Sequence, residues 1–217
     1  MIKRLITLSF LILMLAGCGS TTHEPMLNAS GYLADDGVVR IWTKISADKQ
    51  PMHLMWVYTP FSGDSVLTDY EYIAGQLSLI RSEVQNGANL PQTILRLDSG
   101  DNPSFMERKL VDRNEQLSTD DILRLKYEAQ RILASSNSLS AGNIHLYQGY
   151  VTADSIVTCQ GENMTPAFPA DQQAWIQERI SNGGFIGLAW LKAPRGDQLL
   201  LVANENFCSW EPKLDSF

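Results

Sequence analysis

Cysteine is scarce in this chain, with three in 217 residues. No CxxC pair and no HxH spacing occurs, so a metal site built from neighbouring ligands is excluded. Histidine is equally scarce: His23, His53 and His145 stand far apart and read as ordinary surface or rim side chains. Positive charge is in deficit. The 17 Lys and Arg stand against 24 Asp and Glu, a formal net charge of −7, which excludes nucleic acid as a partner because its phosphates would be repelled. The same balance argues against electrostatic binding to anionic lipid headgroups. The chain has no GxSxG elbow and no GxGxxG or Walker loop, so it lacks the marks of an elbow-type hydrolase and of nucleotide binding. No repeat of solenoid length is present. Long apolar runs are also missing: the stretch Leu5 to Gly17 is uncharged for 13 residues, short of the roughly 20 that a membrane-spanning helix needs.

That stretch is nevertheless informative. Lys3 and Arg4 precede it and small residues close it, the layout of a secretory signal over residues 1–17. It ends Leu15-Ala16-Gly17-Cys18, which resembles a bacterial lipobox. The resemblance implies that the Cys18 sulfur receives a diacylglycerol, that the chain is cut before it, and that the new N-terminus is acylated. Acyl chains hold a protein to a bilayer by about 0.8 kcal/mol per buried methylene. Gly19 follows the cysteine where an Asp would retain the protein at the inner membrane, which points to the periplasmic face of the outer membrane. Removing residues 1–17 leaves 200 residues and, with Lys3 and Arg4 gone, a formal charge of −9. Residues 18–30 then read as a polar tether.

With Cys18 committed, Cys159 and Cys208 remain. An even remainder in an oxidising compartment points to a disulfide; the alternative is two buried thiols. A bridge would set "FCSW", read as the last strand, beside "DSIVTC", and would leave only "EPKLDSF" free.

The body of the chain reads as mainly β (α+β). "GVVRIWTKI" and "HLMWVYTPF" are β-branched and aromatic runs around the polar "SADKQP". "YEYIAGQLSLIRSEV" reads as two strands around Gly75. "QTILRLDSGDNPSFMERKLV" repeats that design around a turn rich in Asp, Gly, Asn and Pro. Residues 31–117 therefore form an antiparallel β-meander of about six strands. Within 118–141 the period changes: Ile122, Leu125, Ala129, Ile132 and Leu133 share one face of a helix. Ser118 is its N-cap, and Asp120 and Asp121 lie in the first turn, where the helix dipole favours them. Residues 142–217 read as a smaller β module, barrel-like, with an OB-like arrangement as one form it could take, and with a short helix from Pro169 to Gly183. A single domain with the first helix between two sheets is the competing architecture.

The runs "ASGYLADDGVVRIW", "SFMERK" and "APRGDQLLLVANENFCSW" resemble the YjaH-like lipoproteins, a bacterial envelope family of unknown function. The resemblance spans nearly the whole chain after the signal. It implies export, lipidation and a mostly β fold, and it supplies no catalytic or binding residues.

The acidic clusters "LADDG", "LDSGDN" and "STDD" are explained by turns and the helix start. Asp98 and Asp101 do not meet the EF-hand pattern. Of the five tryptophans, Trp42 and Trp56 fall on adjacent strands. Core packing is their default role, and a shared apolar ligand groove is the alternative. The reading is a non-enzymatic, membrane-anchored envelope module with no catalytic residues, metal or cofactor. It would present its β surface to an envelope protein or a small apolar ligand. The competing reading is a carboxylate-dependent hydrolase acting on envelope material, and a structural accessory stands third.

Overall fold

The computed structural model describes residues 24–85, 91–152, 155–215 and 217. Residues 1–17, read as a signal, and Cys18 and His23 lie outside the described residues. Eight strands follow one another in a single sheet: β1 (Met26–Ala34), β2 (Gly37–Ile45), β3 (Pro51–Pro60), β4 (Val66–Ile73), β5 (Gln76–Val84), β6 (Gln92–Leu97), β7 (Pro103–Lys109) and β8 (Asn114–Glu115). The meander is thus longer than six strands, and it starts earlier than residue 31. Residues 26–30, read as tether, belong to β1. The stretch 18–30 as a whole is polar, but β1 pairs with β2 along its whole length, and Leu27 and Ala29 pack into the core behind it. The β4–β5 turn is Ala74-Gly75, with φ of 50° and 78°. Two positive φ values give the tight turn whose twist suits a hairpin, and Gly75 carries the second without strain.

The chain continues through α1 (Thr119–Ala141), β9 (His145–Val151), β10 (Ile156–Thr158), β11 (Asn163–Met164), α2 (Ala170–Ser181), β12 (Gly187–Ala193) and β13 (Gly196–Ala203). The second sheet runs β11-β10-β9-β12-β13, antiparallel throughout. It is open, so the barrel-like expectation is corrected. β10 and β11 are three and two residues long, too short to curl round to β13. The β13 edge is capped instead: Leu199 N–H donates to Gln172 Oε1 of α2 at 2.8 Å.

β2 explains the layering, because it is buried on both sides. Val39 and Ile41 pack with Leu54, Ile80 and Leu95 and with Ala129 and Ile132 of α1. Val38 and Trp42 point the other way, onto Leu146, Ala189, Leu191 and Leu200 of the second sheet. On the far side of that sheet, Leu188, Trp190 and Val202 meet Phe168 and Ile176 beside and on α2. The order is helix, sheet, sheet, helix, and α1 lies outside the sheets rather than between them. Each fully buried large apolar side chain stabilises this stack by about 1.5–3 kcal/mol. A bulge keeps both faces of β13 in use. Ala189 pairs with Leu201 and Trp190 with Leu199, so Leu200 is an extra residue and turns to the inter-sheet core.

α1 begins as the spacing predicts. Ser118 Oγ accepts from Asp121 N–H at 3.1 Å, and the Asp121 carboxylate accepts from Ser118 N–H at 3.3 Å, a reciprocal cap. Arg108 of β7 also reaches Asp121 at 3.1 Å. The Arg108 guanidinium, and after it the Ser118 hydroxyl, hold the Asp121 carboxyl down at about 2. A carboxyl with a depressed folded pKa stabilises the fold above its unfolded value and loses that contribution on acidification. The stability gap between the wild type and Asp121→Asn is therefore expected to be constant at neutral pH and to close between about pH 4 and pH 2. Urea unfolding at stepped pH measures it, and a gap unchanged at pH 2 contradicts the assignment.

Candidate functional site

The two tryptophans read as a possible ligand surface do not meet. Trp42 is 2% exposed in the inter-sheet core and touches Trp210 edge-on, ring centroids 5.7 Å apart. Trp56 lies on the opposite face of the first sheet, under α1, stacked on Tyr58 at 5.9 Å. The cause is a bulge. Ile45 pairs with Pro51 but Lys44 pairs with His53, which leaves Met52 extra. One extra residue flips every later side chain of β3, so Trp56 faces away from Trp42.

The disulfide is present: Cys159 and Cys208 are bridged, with Cα atoms 5.0 Å apart. Cys208 sits in a 3₁₀ turn, Phe207–Ser209, not in a strand. Nor is the segment after it free. Lys44 Nζ donates to the backbone oxygens of Leu214 at 3.0 Å and Phe217 at 2.6 Å, and the Phe217 ring lies 4.2 Å from His53. His53 also meets Asp69 at 3.2 Å. His145 is exposed at the start of β9. Among the described residues no cluster of three metal-ligating side chains occurs.

The bridged turn covers a fully buried guanidinium. Arg40 is 2% exposed. It donates to Gln148 Oε1 at 2.7 Å and to Thr59 Oγ1 at 2.9 Å, and its Nε has no partner. Phe207 and Trp210 flank it, their ring centres 4.9 and 4.7 Å away. Gln148 in turn donates to Glu211 at 2.8 Å. Burial pulls the Arg40 pKa down to about 10, against the opposing pull of Glu205 and Glu211. Gln148, Thr59 and the two rings are engaged in holding the cation, so the cluster reads as a structural keystone. "GVVRIWTKI" gives no sign of it, because a lone Arg in a strand normally faces water.

Two grooves are built better for binding. The first, about 380 Å³, lies between α1 and the turns after β4 and β6. Asp98, Asp101, Tyr72 and Lys126 line it. Asp98 accepts from Asn102 N–H at 2.9 Å and Gly100 N–H at 2.8 Å, and the Asn102 N–H above all keeps its pKa below the ordinary range. Asp101 is paired with Lys126. Burial pushes Tyr72 up to about 12. The turn holds Asp98 ionised and Asp101 is engaged by Lys126, a poor arrangement for the general acid a hydrolase needs. An SxxK spacing also occurs, at Ser46-Ala47-Asp48-Lys49, but it forms the β2–β3 turn, where Ser46 Oγ accepts from Gln50 N–H at 3.2 Å.

The second groove, about 350 Å³, lies between α2 and the β9–β10–β11 edge. Ile156, Met164, Phe168, Ile176 and Ile180 give it an apolar floor, and Thr152, Ser155, Gln173 and Gln177 line it with hydroxyls and amides. Phe168 rests edge-on against Trp190, ring centroids 6.4 Å apart, and Tyr147 stacks on the same indole at 5.6 Å. The groove therefore connects directly to a buried fluorophore.

The sequence profile described as "Protein of unknown function (DUF1481)" matches residues 29–213. The chain belongs to the DUF1481 family. A relative, "Uncharacterized protein YjaH" of Escherichia coli (strain K12), is 36% identical over 210 residues, covering 94% of this chain and 89% of its own. No solved structure matches. The DUF1481 match takes in both sheets except the first three residues of β1, both helices, the disulfide and Arg40. Cys18 falls before it. The groove residues on α2 were not visible in the sequence as a site: "ADQQAWIQERIS" shows a short amphipathic helix, and only the packing of the β9–β10–β11 edge beside it makes a cleft.

Proposed function

We propose that this DUF1481 chain is a lipid-anchored envelope module that binds a small apolar ligand in the groove between α2 and the β9–β10–β11 edge. The apolar floor of that groove, ringed by uncharged polar groups, carries the reading. Its volume of about 350 Å³ is in the range of small-molecule sites. The Cys159–Cys208 bridge supports residence in an oxidising compartment, and Leu15-Ala16-Gly17-Cys18 supports the anchor.

An environment-sensitive apolar dye should bind the wild type and change the emission of Trp190 through Phe168. Ile180 lines the groove and is 36% exposed, so Ile180→Glu should abolish dye binding with the far-UV spectrum unchanged. A wild type that binds no apolar probe removes the small-ligand reading and leaves an envelope protein as the occupant to be tested by crosslinking.

A further inference from the structure

We propose that the end of the first sheet where β1 begins rests on the bilayer, with Met26, Met52, Ile73 and Leu214 set into the headgroup region. The proposal rests on the lipid anchor at Cys18. Four exposed apolar side chains converge at this end. Met26 is 55% exposed, Met52 38%, Ile73 71% and Leu214 38%. Strand register brings them together: Met26 lies opposite Ile45, and Ile45 opposite Pro51, beside Met52. Ile73 closes β4 at the same end, where Gly75 abuts the side chain of Gln50. The backbone oxygen of Leu214 is held there by Lys44.

The chain itself says what covers this patch. Seven residues lie between Cys18 and Met26, and the eight steps of chain that join the two reach at most about 29 Å whatever their path. A lipidated Cys18 therefore keeps this end close to the membrane. The opposite end also exposes apolar side chains, Leu33 at 49% and Phe61 at 66%. Strands of nine or ten residues place it roughly 30 Å further away. Exposure alone does not choose between the ends; the tether length does. The rim of the near end mixes Asp48, Asp98 and Asp101 with Lys49 and Lys126, which suits a zwitterionic surface better than an anionic one.

The test uses the full-length exported protein with its disulfide closed, in phosphatidylcholine vesicles with or without brominated acyl chains. A fluorophore is placed at Ile73→Cys, at Met52→Cys and, as control, at Phe61→Cys. Labels at 73 and 52 should lose emission in the brominated vesicles, and the label at 61 should not. The mass of the N-terminal peptide from the same sample reports the anchor. Lipid on Cys18 with no quenching at 73 and 52 overturns the seat alone. Quenching equal at all three positions overturns it too. An unmodified Cys18 overturns the anchor and the seat with it.

Discussion

Arg40→Ala is expected to destabilise the protein by about 3–5 kcal/mol, the range for removing one partner from a buried charged cluster. The substitution leaves Gln148 Oε1 and Thr59 Oγ1 without their donor and opens a void between Phe207 and Trp210. It also removes a cation that lowers the Glu211 pKa, which burial already raises. Arg40→Met fills most of the void without bringing in a charge, and is expected to cost less than half as much. Arg40→Lys keeps the charge but cannot donate along two fixed directions or lie flat between two rings, so it should fall between the two. Urea unfolding of the three variants gives the order Met, Lys, Ala from most to least stable. Finding Lys more stable than Met would show that net charge, not packing and directed hydrogen bonding, is what this position needs.

The second large effect is expected from the disulfide. Cys159 and Cys208 are 49 residues apart, and a loop of that size contributes about 4 kcal/mol in the chain-entropy model. Cys159→Ser with Cys208→Ser should lower the Tm by roughly 10 °C. The bridged turn holds Phe207 and Trp210 over Arg40. The double variant should therefore also become sensitive to proteolysis from about residue 205 onward, even with both sheets intact. Scanning calorimetry and limited proteolysis check the two parts. Lys44 holds the last residues independently of the bridge, so cleavage should fall between the turn and that contact. A Tm unchanged by loss of both sulfurs would contradict this account.

Sequence legibility followed the range of the forces involved. α1 was readable because its signals are local: the cap at Ser118, acids at 120 and 121, and apolar residues at helical spacing. The hairpins were readable from their turns, as with Ala74-Gly75 and Asp98–Asn102. The start of β1 was hidden because Leu27 and Ala29 acquire a partner only when β2 pairs beside them. The bulge at Lys44 and Ile45 depends on how one loop closes, and no composition rule reveals it; it decides that Trp42 and Trp56 cannot share a groove. Arg40 was hidden by the inverse reasoning. Alternation along β2 assigns it to a face, but only the arrival of the second sheet turns that face into a core. The barrel-like expectation for residues 142–217 fails on the lengths of the strands between Ile156 and Met164, which turn composition does not fix.

The pairing order has a consequence for how the chain folds. Every neighbour in the first sheet is also a neighbour in sequence, so that sheet can assemble hairpin by hairpin at a low entropic cost. The second sheet contains one exception: β9 pairs with β12, and β10, β11 and α2 intervene. That step is the slow, long-range one. Cys159 precedes the delayed strand and Cys208 follows it, so docking of β12 on β9 is the step that brings the two thiols together in the fold. Oxidation of the pair that keeps pace with that docking would mark the end of folding. A chain stopped before β12 should carry a complete first sheet and a reduced Cys159.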